Sequence, residues 1–192
     1  MGNKYINIHQ DLLGKCLNGD PSAQFEIYRL YYKSMYNSSL RIVGLSDEAE
    51  DIMQESFLTA FRKLKTYSGE VSFGAWLKKI VINRSLDVLR KRKVVFEEID
   101  AELPIIGDPE PEIASVTVEE IKSAINSLSD GYRTILSLIL LEGYDHEEVS
   151  EILGIKNVTS RTQFSRARQK LKERLTENRK KKIEEDIYGY MG

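Results

Sequence analysis

The sequence predicts an all-α chain: two small helical domains joined by a flexible acidic linker, the C-terminal one a helix-turn-helix. Three observations predict it. Apolar residues recur at three- and four-residue spacing on both sides of the chain's middle, bracketed by capping residues and stop glycines. Three of the four prolines, Pro104, Pro109 and Pro111, fall in one acidic stretch, 94–116, where no period survives. Past it, a short capped helix, a glycine and a long basic helix follow one another in the order of a helix-turn-helix.

The first domain spans 1–93. Its first helix carries Cys16, a small hydrophobe there. Pro21 after Asp20 marks the next helix start, and Phe25, Ile27, Leu30 and Tyr31 begin its apolar face. Gly44 ends that helix. Ser46 is the expected cap of the third, where Asp47, Glu48 and Glu50 suit the positive N-terminus. Met53, Phe57, Phe61 and Leu64 then make one buried stripe. After a turn over 66–72, a fourth helix sets Phe73, Trp76, Leu77 and Ile80 on one side.

The second domain, 117–176, opens on Thr117 and Glu120, a capping box ahead of Ile121, Ile125 and Leu128. Another helix starts at 128–130. Its Ile135, Leu136, Leu138, Ile139 and Leu140 are dense enough to be buried. Asp145 and Glu148 form a second capping box, leading a short helix through Val149, Ile152 and Leu153 to Gly154. His146 is a first-turn residue of that helix; with Ser150 four positions on, it lacks the second histidine of a zinc helix. A long helix is expected from Thr159 to Leu175, seated on Phe164, Ala167, Leu171 and Leu175. The charged tail, 177–192, reads as a disordered extension.

Charge is distributed unevenly. The whole chain of 192 residues carries −2, but residues 1–92 hold 14 Lys and Arg against 10 Asp and Glu. Residues 93–117 hold one basic residue against seven acidic, so the acid is concentrated in the linker. Two basic segments stand out: Lys78, Lys79, Arg84, Arg90, Lys91, Arg92 and Lys93, and on the last helix Arg161, Arg166, Arg168, Lys170, Lys172 and Arg174. No apolar run approaches the roughly 18 residues of a membrane span, and residues 1–11 lack a signal-peptide core. One cysteine and two histidines offer neither a disulfide nor a zinc site, which fits a reducing cytoplasm.

Three surfaces can carry function. Arg161, Thr162, Ser165 and Arg166 project from the N-terminal half of the last helix, the part that reaches base edges in a helix-turn-helix. Tyr67, beside Ser68 and Gly69, is the aromatic expected to be exposed next to positive charge, as in proteins that hold unstacked bases; Phe73 and Trp76 are expected as core anchors. Asp51 and Glu55 lie four residues apart on one helical face with Gln54. No histidine or third carboxylate is spaced to complete a metal or acid–base site, so no catalytic, cofactor or metal residue is expected. Composition leaves that face open as solvated surface or as a docking surface for a basic partner. A stand-alone DNA-binding regulator, and a helical enzyme using Asp51 and Glu55 with a metal, are the two alternatives at this level.

Taken together, the segments resemble the extracytoplasmic-function sigma factors, two-domain members of the sigma-70 family. Residues 49–61, AEDIMQESFLTAF, are similar to the family segment whose acidic face docks on the largest polymerase subunit. Residues 73–83, FGAWLKKIVIN, resemble the helix that melts and reads the −10 element. Residues 142–168 resemble the −35-binding domain, and 147–155, EEVSEILGI, its helix and turn. The resemblance implies sigma region 2 over 1–93 and region 4 over 117–176. It implies a factor that binds core RNA polymerase and promoter DNA without enzymatic activity or cofactor, with an anti-sigma factor as a further partner. Carried over by residue, it implies polymerase contacts at Asp51, Gln54 and Glu55, and capture of a flipped −10 base by Tyr67, Ser68, Gly69 and Glu70. Asn83 and Arg84 are implied on −10 DNA, with Lys79, Arg90, Lys91 and Arg92 on phosphates. Arg161, Thr162, Ser165, Arg166 and Arg168 are implied on the −35 element. Three positions depart from the family pattern: Ser150 where alanine is common, Val158 where glycine is usual, and Ser160 where valine is frequent. They bear on the pitch of the recognition helix and so on its base preference.

Overall fold

Local signals decide where the helices begin and end, and the apolar stripes decide which faces meet. The computed structural model describes residues 9–93 and 116–189, with side chains through 180. The chain divides into two compact units, Met1–Val94 and Val95–Gly192. The stretch expected as a linker lies outside the described residues except for Val116. All regular structure among the described residues is helical.

The first unit contains α1 (Gln10–Leu17), α2 (Pro21–Val43), α3 (Ser46–Lys63), a 3₁₀ turn over Leu64–Thr66, and α4 (Phe73–Lys91). Asp20 caps α2 by accepting from the Ser22 and Ala23 amides at 2.9 and 3.4 Å, with Pro21 in the first helical position. Gly44 closes α2 in the left-handed conformation at φ 77°, where a side chain would be strained. Ser46 does not cap α3: Leu45 holds the cap position, and the Ser46 hydroxyl turns to Asp47 at 3.1 Å. The α3 N-terminus therefore relies on Asp47 and Glu48 in its first turn.

The helices α2, α3 and α4 pack mutually around Ile27, Met35, Ile42, Phe57, Phe73 and Leu77. Two buried serines sit where α2 meets α4. Ser85 gives its proton to the Val81 carbonyl at 2.9 Å, so Ser39 donates to Ser85 across the interface at 3.1 Å. Small residues let the helix axes approach closely, and pairing avoids the penalty of about 1–3 kcal/mol for an unsatisfied buried group. The expected apolar face of α2 is narrower than its composition suggests. Phe25 is 63% exposed and Leu30 50%, while the buried face runs through Ala23, Ile27, Met35 and Ile42. Phe61, Trp76 and Ile80 are half-buried at the edges of their stripes.

The second unit contains α5 (Val118–Asn126), α6 (Asp130–Leu136) running on as a π-helical turn over Ser137–Leu141, α7 (His146–Leu153) and α8 (Asn157–Gly189). Both expected capping boxes form, Thr117 with Glu120 and Asp145 with Glu148. Gly154 ends α7 at φ 70°. The core joins Ile125, Ile135, Leu136, Leu138 and Val149 to Ala167 of α8. Ile121 and Leu140, expected inside, are exposed; Leu140 falls in the π-helical turn, which shifts the end of α6 out of register with its inner face, while on α5 it is Ala124 and Ile125 that face the core.

Two features of this unit depart from the expectations more widely. The long helix starts at Asn157 and continues to Gly189, so the tail expected as a disordered extension is helical through that residue. Arg133 is 5% exposed, donating to the Leu128 carbonyl at 3.2 Å and pairing with Asp130. A buried charge needs such partners, because stripping it of water is costly.

Candidate functional site

Helical geometry places Asp51, Gln54 and Glu55 together on the exposed side of α3, opposite Ile52, Met53 and Phe57. The Gln54 amide donates to Glu50 at 3.2 Å, which orders the head of this face. Its flank is tied to α4: Glu55 pairs with Arg84, and Glu48 with Arg92. Arg92 also donates to the Val43 carbonyl at 3.0 Å, so its guanidinium fastens the end of α4 to both neighbouring helices. Between α3 and α4 lies an open groove of about 520 Å³ whose rim includes Asp51, Glu55, Arg84, Asp87 and Lys91. The acidic surface and the basic surface, read separately from the sequence, thus adjoin.

The loop before α4 is a braced turn. Thr66 donates to the Lys63 carbonyl at 2.7 Å, and the Tyr67 hydroxyl donates to the Val71 carbonyl at 2.6 Å, spanning the loop. Ser68 accepts from the Glu70 amide at 3.4 Å, Gly69 takes φ 77°, and Ser72 caps α4 through the Ala75 amide at 3.2 Å. The Tyr67 ring packs on Phe73 and Trp76 with centroids 5.8 and 5.4 Å apart. Phe73 is a core anchor as expected. Trp76 is not fully inside, and it shares the half-buried edge with Tyr67. Along α4, Lys79, Asn83, Arg90 and Lys91 are exposed, Arg84 is half-buried, and Arg90 pairs with Asp87 at 2.8 Å.

In the second unit, Gly154 and the Ile155 amide, which donates to the Ser150 carbonyl at 3.0 Å, turn the chain from α7 into α8. Arg161 and Arg168 are exposed, while Thr162, Ser165 and Arg166 are half-buried. The Arg161 Nε donates to Asn157 at 2.9 Å, Thr162 donates to the Val158 carbonyl at 3.0 Å, and the Arg168 guanidinium stands 6.0 Å over the Phe164 ring. The Arg161 and Thr162 side chains thus bond back to the first turn of α8, at Asn157 and the Val158 carbonyl.

One polar contact here escaped the sequence reading. His146 Nδ1 lies 3.0 Å from the buried Ser160 hydroxyl, and its ring meets Phe164 edge-on at 5.4 Å. Burial, and then the nearby Arg161 cation, push the His146 imidazole below its usual pKa of 6.5, against a smaller opposing pull from Asp145. The departure of Ser160 from valine was the signal in the sequence, but nothing there indicated its partner.

Comparisons with known proteins agree with this arrangement. A family model for sigma-70 region 2 matches residues 27–94, and one for sigma-70 region 4 matches residues 118–171. The ECF RNA polymerase sigma factor SigW of Bacillus subtilis is 31% identical over 171 residues, covering 82% of this chain and 91% of that protein. The ECF RNA polymerase sigma factor SigE of Mycolicibacterium smegmatis is 30% identical, covering 80% of this chain and 62% of that longer protein. In fold, the chain is similar to the sigma factor RpoE of Bartonella quintana in its complex with the anti-sigma factor NepR. That likeness has a TM-score of 0.54 and 24% identity, and covers 79% of this chain and 95% of that one. Among the described residues, no helix is long and apolar enough to cross a membrane. Two family domains in the same order, each on its own folded unit, decide among the readings that composition left open: the chain belongs to the sigma-70 family, in its extracytoplasmic-function group, and is a transcription initiation factor that directs RNA polymerase to promoters.

Proposed function

We propose that this factor divides its work among three surfaces. The exposed α3 face of Asp51, Gln54 and Glu55 docks on a basic surface of core RNA polymerase. The loop of Tyr67, Ser68, Gly69 and Glu70 captures an unpaired −10 base, with Asn83 and Arg84 beside it and Lys79, Arg90 and Lys91 on phosphates. Arg92, committed to Glu48 and the Val43 carbonyl, anchors that phosphate-binding end of α4. Arg161, Thr162, Ser165, Arg166 and Arg168 on α8 read the −35 element. Because Glu55 also holds Arg84, polymerase that takes the Glu55 carboxylate releases Arg84 to the promoter.

The observation that carries this reading is the pairing of an exposed carboxylate face on α3 with an exposed cationic stripe on the adjoining α4. The factor works where polymerase and promoters are, in the cytoplasm. An anti-sigma factor, like the one in the Bartonella quintana complex, is a further partner able to cover the same surfaces. Co-elution with core polymerase tests the docking face. The Asp51→Arg/Glu55→Arg variant, folded by circular dichroism, is expected to lose co-elution; undiminished co-elution overturns the assignment.

A further inference from the structure

We infer that His146 and Ser160 form a positioning pair that sets how the first turn of α8 is seated on α7, and through it which −35 bases the factor prefers. The inference rests on the reading of α8 as the −35 helix. His146 is the first residue of α7, and the Asp145–Glu148 capping box fixes the backbone it grows from. Ser160 lies in the first turn of α8, fourteen residues further on, and is fully buried. Their side chains meet at 3.0 Å, and one turn later the same imidazole stands edge-on to Phe164 at 5.4 Å and 74°. A single side chain from α7 therefore grips α8 at two successive levels.

Apolar contact is non-directional and tolerates a range of helix rotations. A hydroxyl matched to an imidazole nitrogen tolerates few, because hydrogen bonds weaken steeply off axis. The consequence falls on the adjoining residues. Arg161 follows Ser160 directly, and Thr162 and Ser165 share its two turns. A rotation of α8 by about 20° would carry a side-chain tip ~6 Å from the axis through about 2 Å, enough to break a bidentate base contact. The pair does not touch DNA in this scheme; it acts through the residues it positions.

The test is transcription from promoters with randomised −35 positions, using core polymerase loaded with the full-length chain. Polymerase co-elution and thermal melting are followed alongside. Ser160→Ala and His146→Gln are expected to shift the base preference at one or more −35 positions by about fivefold, the ratio one net hydrogen bond commands. Co-elution is expected to hold. His146→Asn, whose amide nitrogen falls where Nδ1 lies, is expected to keep the parent profile. The double variant Ser160→Ala/His146→Gln is expected to shift it no further than either single change. An unchanged profile in both singles overturns the inference, as does lower transcription with the same profile, or equal behaviour of Asn and Gln at 146. If Ser160→Ala melts below the assay temperature, the Asn-against-Gln comparison decides alone. Arg166→Ala separates the two possible failures. A profile altered by Arg166→Ala but not by the pair refutes positioning and leaves the −35 reading standing. A profile altered by neither removes the −35 reading, and the positioning role falls with it.

Discussion

At the scale of single residues, the second unit holds the His146 imidazole against the buried Ser160 hydroxyl and the Phe164 ring. The folded state favours the neutral form of His146, because burial and the Arg161 cation lower its pKa from 6.5. The sign follows from linkage. Proton uptake is easier in the unfolded chain, so the associated stability is present above about pH 6.5 and is lost as pH falls through the folded-state pKa. The difference in unfolding free energy between the parent and His146→Asn is therefore expected to shrink between about pH 7.5 and 5, read from denaturant titrations of both. A constant difference would mean that His146 is not held neutral. The position of His146 on α7 was legible from the sequence; its environment was not, because Ser160, Phe164 and Arg161 reach it from another helix.

At the scale of elements, helix ends were the most legible feature. Caps and stop glycines act within four residues, and Asp20, Thr117, Asp145, Gly44 and Gly154 all do in the structure what their spacing implied. The Ser46 exception is instructive: a hydroxyl beside Asp47 can bond sideways instead of capping, and the local pattern cannot rank the two. Asp145 accepts from two α7 amides at 2.8 and 2.9 Å, so Asp145→Ala is expected to cost about 1 kcal/mol in thermal or chemical unfolding. No measurable cost would show that Glu148 and solvent suffice. The ion pairs between α3 and α4 belong to this scale too. Their exposure limits each to roughly 0–1 kcal/mol, so their weight lies in joining two functional faces more than in holding the unit together.

At the scale of the whole molecule, each unit has its own core, and they can be followed separately. Trp76 is the single tryptophan of the sequence and belongs to the first unit. Arg133, buried with Asp130 and the Leu128 carbonyl, belongs to the second. Arg133→Ala removes the guanidinium's bonds to Asp130 and to the Leu128 carbonyl and opens a cavity, at an expected cost of about 3 kcal/mol. The helical signal in circular dichroism should then melt in two steps, with the Trp76 fluorescence transition unmoved. A matching drop in the Trp76 transition would mean that the two units unfold as one.

By itself the sequence determined that the chain is helical, where most of its helices start and stop, and that acid, base and aromatic groups lie on particular segments. Those properties depend on spacing within one helix and on residues with strong backbone preferences. Only the tertiary structure decided which of those groups meet. Glu55 finds Arg84, Glu48 finds Arg92, Tyr67 lies down on Trp76, and His146 reaches Ser160. The same holds for burial: Phe25 and Leu140 are as apolar as the residues that form the core, yet remain exposed. A side chain's partners across an interface are set by how helices cross and rotate, and the period of a single helix carries no record of that.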